Sequence, residues 1–390
     1  MSHIVEFSIE GLAGSKIPYK KKLNRDVNIF FGLNGSGKTS LLKILHSAMS
    51  NNAIPLIDVP FKNARIIIYS IKYKQEITYS IEKPKISETR LPKEVLDRIS
   101  SEVEREIFIR NYIVHDRVKF EWRVSPKRKD IIEASWQHRY LPTTRLLTGY
   151  TGPQSAELRR TTYEVDEDAI NMHMESELLR QWNEYFGKVQ GEVRSIQESG
   201  LAEVLKTVLG TKEKKDLKKL DWKEAYKLAS TFIRKQDRHA QLENKEHFKK
   251  RYEKDEMLPR VIRHINNIEV KVAKKLLPRD LLQELINKLF YRKKLELGAT
   301  SIDIETHGKE KIRVAHLSSG EKQVLYILIQ ALRSGESSLI IDEPEISMHI
   351  DWQKALIPAL TRLNPDNQLI IATHSPEIMA DLSEDKIFRL

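Results

Sequence analysis

Three stretches of the chain are apolar almost without interruption, and each stops at a polar or glycine-rich junction. Asp26-Val27-Asn28-Ile29-Phe30-Phe31 runs into Gly32, Ser338-Leu339-Ile340-Ile341 into Asp342 and Glu343, and Gln368-Leu369-Ile370-Ile371-Ala372 into Thr373 and His374. Short runs of this kind predict buried strands. His3–Glu10 also reads as a strand, and Ala64–Tyr69 with Glu76–Ile81 as a hairpin turning at Lys72–Gln75. A charged helix is predicted from Pro92 to Ile107, a return to strand from Phe108 to Trp122, a strand ending at Arg139–Leu146, and a hinge at Thr148–Gln154.

The pattern changes between Ala169 and Leu297, which is helical, basic and poor in strand formers. Leu201, Val204, Leu205, Val208 and Leu209 share one helical face. Leu281, Leu282, Leu285, Ile286 and Leu289 share another, with Asp280 able to cap after Pro278. Gly187, Gly191, Gly200, Gly210, Pro259 and Pro278 read as breaks, and no apolar heptad is sustained. The expectation is a lid of several helices, not one long coiled coil. Short strands follow at Ser301–Ile304 and Lys311–Val314, where Asp303 and Glu305 read as a polar strand face rather than a metal site. The domain limits predicted are 1–168, 169–297 and 298–390.

Composition narrows the classes. The 390 residues carry a net charge of +11 and no cysteine. The absence of cysteine excludes disulfides, thiolate zinc sites, Fe–S clusters and a cysteine nucleophile. The surplus charge suits either an acidic partner such as DNA or a well-solvated surface. The best candidate patch is Lys212–Lys227, which holds seven lysines. No signal peptide or membrane span is legible, so a cytoplasmic protein without membrane contact is expected.

The first junction has a specific chemistry. Gly32-Leu33-Asn34-Gly35-Ser36-Gly37-Lys38-Thr39 fits G-x-x-x-x-G-K-[ST], between a predicted strand and the helix-compatible run Ser40–Leu45. Glycines let successive N–H groups curl toward phosphate oxygens, and a helix N-terminus favours the anion. Asn34, Gly35, Ser36, Gly37, Lys38, Thr39 and Ser40 are the expected phosphate cradle. Lys38 reaches the β- and γ-phosphates of ATP, and Thr39 ligates Mg²⁺.

The C-terminal junctions complete a pattern. Leu317-Ser318-Ser319-Gly320-Glu321 opens a predicted helix, with Ser318 and Gly320 at its start exposing N–H groups and hydroxyls at a dipole end; a capping box alone is the simpler reading, but the place of the segment in the chain argues against it. Asp342 is placed to hold Mg²⁺ and Glu343 to deprotonate the attacking water. A neutral His374 ring is placed to donate to the γ-phosphate and help align that water.

In this order, GLNGSGKT, LSSGE, LIIDEP and ATHSP resemble the Walker A, signature, Walker B and switch-histidine motifs of ABC-type ATPases. Glu345–His349 occupies the D-loop position. The wording is similar to the soluble OLD-like and SMC-like branch, including anti-phage ATPases of Septu or PARIS type. The resemblance covers the two ends of the chain and not its middle. It implies an α/β P-loop NTPase with an ABC-type head, made of a mixed sheet plus an antiparallel β subdomain, and an inserted helical domain. It also implies two heads that sandwich ATP, with Ser318 and Gly320 of one reaching the γ-phosphate held by Gly35–Thr39 of the other. A Q-loop glutamine is expected at Gln154, which would join the Mg²⁺ ligands, with Gln75 as its competitor.

Three functional classes are weighed. The first is a nucleotide-gated ATPase switch of bacterial anti-phage defence, forming a homodimer or larger homo-oligomer and controlling a separate effector nuclease. The second is a DNA-repair or chromosome-maintenance ATPase that clamps DNA directly. The third, a transporter subunit, fits poorly, because Lys38 and Ser318 stand some 280 residues apart.

Overall fold

The computed structural model describes residues 2–83, 120–132, 134–143, 167–210, 220–237, 239–240 and 242–390. The helix expected at Pro92–Ile107, most of the strand expected at Phe108–Trp122, the Thr148–Gln154 hinge and the first five lysines of the Lys212–Lys227 patch lie outside the described residues. The chain divides into two compact units, one of residues 1–178, 285–294 and 304–390, the other of residues 179–284 and 295–303.

The larger unit holds two five-stranded sheets. The apolar runs form a parallel sheet of β3 (Val27–Phe31), β7 (His138–Leu141), β11 (Ser338–Asp342), β12 (Gln368–Thr373) and β13 (Ile387–Arg389), in the order β13-β3-β12-β11-β7. Every pairing in it is parallel. All residues of β11 and β12 are buried, as strands covered on both faces must be. The second sheet is antiparallel and comprises β1 (His3–Glu10), β2 (Tyr19–Lys22), β4 (Asn63–Ser70), β5 (Gln75–Glu82) and β6 (Arg123–Ser125), in the order β2-β1-β4-β5-β6. Its strands alternate: Ile66, Ile68, Ile77 and Tyr79 are fully buried between more exposed neighbours. The hairpin turns at 71–74, with Lys74 at φ +50°, and Gln75 already pairs with Ser70 in the ladder.

One core joins the two sheets through helix α1 (Lys38–Ser50). Leu41, Leu42, Leu45 and Met49 pack with Phe7, Ile66 and Tyr79 of the antiparallel sheet and with Ile340 and Ile370 of the parallel one. Each such side chain contributes about 1.5–3 kcal/mol by leaving water. Polar bonds fix the register of this sandwich. Trp122 Nε1 donates to Ser47 Oγ at 2.9 Å and Trp136 Nε1 to Tyr79 Oη at 3.0 Å. The fully buried Gln368 amide holds Ile4 on both sides, accepting from its N–H at 2.9 Å and donating to its carbonyl at 2.8 Å.

The smaller unit is helical: most of α2 (Glu167–Val208), α3 (Trp222–Gln236), α4 (Lys245–Lys254) and most of α5 (Met257–Leu289). Several predicted breaks are not breaks. Gly187, Gly191 and Gly200 lie inside the 42-residue α2, which ends at Val208, two residues before Gly210 at φ +91°. Gly200 has a packing reason, since a Cβ there would sit 2.2 Å from Ile268 Cγ1 of α5. Close approach of two helices outweighs a helix-propensity cost of about 1 kcal/mol. Pro259 occupies the first turn of α5, where no N–H is needed, and Pro278 lies in its interior. Asp280 therefore caps nothing; it pairs with Arg279 at 2.5 Å. Leu282 and Ile286 are fully buried as expected, whereas Leu201, Leu205 and Leu209 are exposed. Asp303 and Glu305 lie on β9 (Ile302–Thr306), between β8 (Lys293–Leu297) and β10 (Lys311–Ile312), and the Asp303 side of that strand is exposed. Among the described residues no cluster of His, Asp or Glu could hold a metal by itself, and no helix is long and apolar enough to cross a membrane.

Candidate functional site

The parallel register gathers the motifs. Asp342 pairs with Ala372, Ala372 with Phe30, and Thr373 with Phe31. The next residues along β11, β12 and β3 are Glu343, His374 and Gly32, so three junctions leave one sheet edge at the same level. Adjacent strands are about 5 Å apart, which puts the three within reach of a single small ligand.

The loop after β3 is shaped by two left-handed glycines, Gly35 at φ +82° and Gly37 at φ +98°. A Cβ on Gly37 would meet Ala13 Cβ at 3.0 Å, so both conformation and space demand glycine. Gly37 is the N-cap of α1 and no side chain caps that helix. Its first-turn N–H groups stay available to an anion. The Lys38 side chain is 5% exposed, and its Nζ donates to the carbonyls of Gly32 at 2.8 Å and Leu33 at 3.0 Å. No carboxylate pairs with it among the described residues. The Ser36 hydroxyl is buried without a hydrogen-bond partner. A buried ammonium bonded only to carbonyls, an orphaned hydroxyl and an uncapped helix together suit a phosphate chain.

The two acids differ by environment. Asp342 is 1% exposed and Oδ2 accepts from Thr143 Oγ1 at 3.3 Å. Glu343 is partly open, with its side chain 23% exposed, and sits at φ +46° with its N–H on the Ala372 carbonyl at 2.8 Å. That left-handed backbone costs a non-glycine residue about 1–2 kcal/mol and re-aims its side chain at the strand end. With nucleotide bound, Thr39 and Asp342 are the residues that would hold Mg²⁺, which neutralises charge on the β- and γ-phosphates. Gln154 lies outside the described residues.

Ser318 has a definite structural role. It is the N-cap of α6 (Ser319–Ser334): its Oγ accepts from Glu321 N at 3.2 Å while Glu321 Oε2 accepts from Ser318 N at 2.8 Å. Lys293 Nζ holds the same carboxylate at 2.7 Å. The capping-box reading is therefore realised, and α6 presents a closed N-terminus where α1 presents an open one. Gly320 has a packing role, because a Cβ there would lie 2.2 Å from the Ser347 carbonyl. Alanine is the better helix former by about 1 kcal/mol, yet Gly320→Ala is expected to destabilise the nucleotide-free protein by about 1–3 kcal/mol. Urea unfolding of both proteins without nucleotide measures it, and equal midpoints would contradict the close contact.

Sequence reasoning placed Glu345 in the D-loop position without a role and passed over Gln323. Glu345 is 6% exposed and its Oε1 accepts from Thr373 Oγ1 at 2.6 Å and His374 N at 2.7 Å, with the His374 ring nitrogen Nδ1 3.1 Å away. Gln323 Nε2 donates to the Pro344 carbonyl at 2.9 Å. The available signal was a third acid within four residues, Asp342, Glu343 and Glu345, at a buried strand end. Gln75 stays in its hairpin ladder.

Parts of the chain are similar to known proteins. A family model described as "AAA domain, putative AbiEii toxin, Type IV TA system" matches residues 194–380, somewhat under half of the chain. The match includes Ser318, Asp342, Glu343 and His374 and stops short of Gly32–Thr39. In fold the chain is an α/β protein with mixed sheets, its parallel sheet carrying the glycine loop between β3 and α1. Retron Ec83 probable ATPase of Escherichia coli is 28% identical over a segment covering 20% of this chain and 17% of that protein. Retron Vc95 probable ATPase of Vibrio cholerae serotype O1 biovar El Tor is 26% identical, covering 20% and 18%. The chain thus matches under a fifth of the length of these curated relatives. The Smc head domain of Pyrococcus furiosus, solved with the C-terminal domain of ScpA, superposes with a TM-score of 0.42 at 12% identity, covering 97% of this chain and 92% of that one. The SMC head domain from Thermotoga maritima gives 0.41 at 11% identity, covering 97% and 91%.

Proposed function

We propose that the chain binds ATP with Mg²⁺ through Asn34–Ser40 and Asp342 and hydrolyses it with Glu343 as the base. Bound nucleotide pairs two heads, with Ser318 of one facing the phosphates held by the other. The protein then acts as the sensor ATPase of a bacterial anti-phage defence system that controls a separate nuclease. The observation that carries the nucleotide site is the Lys38 ammonium, buried against two carbonyls beside the uncapped N-terminus of α1. The setting is supported by the kinds of protein the chain is similar to, retron ATPases and a toxin–antitoxin ATPase family. Wild-type protein is expected to bind a fluorescent ATP analogue, and Lys38→Ala to bind it at least tenfold more weakly, since a charge-assisted phosphate contact contributes about 1.5–3 kcal/mol. Equal affinities in a titration would remove the assignment.

A second reading, direct contact with DNA, is favoured by the smaller unit. Trp222 of α3 lies under Lys223 at 5.9 Å and Lys249 at 5.3 Å, and Tyr226 under Lys245 at 5.9 Å. Lys223, Lys227, Arg234, Lys245 and Lys250 are exposed and have no carboxylate partner among the described residues. Aromatic rings interleaved with unpaired cations suit single-stranded nucleic acid. Replacing Lys223, Lys227 and Arg234 by alanine is expected to lower the salt slope of oligonucleotide binding by about 2. Absence of any binding by the wild type at low salt retires this reading.

A further inference from the structure

The ring of His374 meets two carboxylates unequally. Its Nδ1 is 3.1 Å from Glu345 Oε1 and 4.0 Å from Glu343 Oε1. The first is a close charge contact and the second is a longer one. A carboxylate at 3.1 Å repels a ring lone pair and favours an N–H, so the proton of the neutral ring is favoured on Nδ1. The same Glu345 oxygen holds the backbone N–H of His374 and the hydroxyl of Thr373, and Thr373 Oγ1 in turn accepts from Ser375 N at 2.9 Å. Ser375 Oγ donates to Gln353 Oε1 at 2.6 Å, and Gln353 Nε2 to the Met348 carbonyl at 2.9 Å. One buried acid thus holds the histidine backbone by a hydrogen bond and faces its ring at close range. Its side chain is 48% exposed, and Nε2 has no protein partner among the described residues.

This contact favours one tautomer. In a neutral ring with its proton on Nδ1, Nε2 carries the lone pair and accepts a hydrogen bond. Such a ring cannot donate from Nε2 to a phosphate oxygen, which revises the role expected from sequence. We propose that Glu345 is a positioning residue that fixes His374 in the Nδ1–H form, so that Nε2 accepts a hydrogen bond from the attacking water. The inference rests on the ATPase reading above. The water gives one proton to the Glu343 carboxylate and directs its other O–H at Nε2. Its oxygen forms the new bond to the γ-phosphorus as the bond to the β,γ-bridging oxygen breaks, and ADP leaves with that electron pair.

The first test needs no turnover. Nitrogen-15 spectra of histidine-labelled protein, with His374 identified by its loss in His374→Asn, are recorded near pH 8, above the ordinary histidine range. His374 is expected to be mainly Nδ1–H in the wild type. It should revert toward Nε2–H, the form free imidazole favours in water, in Glu345→Ala. A wild-type ring that is mainly Nε2–H overturns the proposal whether or not any variant folds. The second test is a double-mutant cycle. Glu345→Ala is expected to lower kcat at least tenfold with KM for ATP within about threefold, Glu345→Gln to recover most of that loss because its amide oxygen still accepts, and Glu345→Ala to cost nothing further in a His374→Ala background. Additive losses, or a loss confined to KM, overturn it. A wild type without ATPase activity would defeat the ATPase reading and leave the tautomer result standing.

Discussion

Glu343→Gln is expected to leave ATP affinity within about threefold of wild type and to lower the steady-state hydrolysis rate by roughly 10²–10⁴. The reasoning starts from the unequal surroundings of two neighbouring acids. Asp342 is almost fully buried and hydroxyl-bound, a fixed negative charge suited to a cation. Glu343 is partly open, beyond the end of β11, and near the His374 ring without being hydrogen-bonded to it. Its partly open carboxylate is placed to take a water proton. Glutamine keeps the shape and cannot take the proton, so binding and chemistry should separate. Phosphate release measures the rate, and equilibrium titration the affinity. Because bound ATP is what pairs the heads in the proposed cycle, the same variant should accumulate as a dimer or larger assembly with ATP and Mg²⁺ in light scattering. Hydrolysis at the wild-type rate would remove Glu343 as the base. A monomer at saturating ATP would remove the pairing, since the γ-phosphate contact that distinguishes paired from separate heads would then contribute nothing.

The sheet was legible because its strands are written twice, in apolar runs and in the abrupt polar residues that end them. β3, β11 and β12 could be read that way, and their shared edge followed from parallel pairing. The glycine loop was legible because its chemistry is local, with spacing, conformation and helix all within eight residues. Ser318 and Gly320 show the limit of local reading. The segment was compatible with a cap and with a phosphate contact, and the structure adds a close Ser347 carbonyl that explains the glycine without any ligand. The glycines of α2 were misread as breaks because propensity is a small term, and the fit of Gly200 against Ile268 depends on a helix some 70 residues away. The role of Glu345 was missed for a related reason. Its partners Thr373 and His374 are close only after β11 and β12 pair, and a hydrogen-bond network leaves no period in the chain.

His46 and His138 show the same kind of long-range pairing, and the largest effect of pH is expected there. The two rings lie 92 positions apart in the chain, and their Nδ1 and Nε2 atoms are 2.7 Å apart. His138 Nδ1 donates to the Trp136 carbonyl at 2.7 Å, so its Nε2 must accept and His46 Nδ1 must donate. His138 is therefore neutral. His46 also stacks on Tyr140 with centroids 4.9 Å apart. Burial, and secondarily the facing His138, pushes His46 down from 6.5 to about 4, and burial lowers His138 as well. The unfolded chain then binds a proton that the folded chain refuses between pH 6.5 and about 4, so stability falls as pH falls through that window. His46 alone contributes on the order of 3 kcal/mol across it, and the coupled pair is less than the sum of two such terms. Carboxylates held low by cations, such as Glu6 beside Lys20, lose their contribution only at more acid pH, as they protonate below their ordinary range. Urea unfolding between pH 7.5 and 4.5 should therefore show a slope that His46→Gln reduces by close to one proton. Parallel curves for the two proteins would refute the pair as the cause. The pair braces α1 against β7, two strands from β12 and next to the strand that ends in Asp342. ATP affinity should accordingly decline in the same window and should decline less in the variant. A loss of affinity with the same pH dependence in both proteins would place the acid sensitivity elsewhere in the nucleotide site.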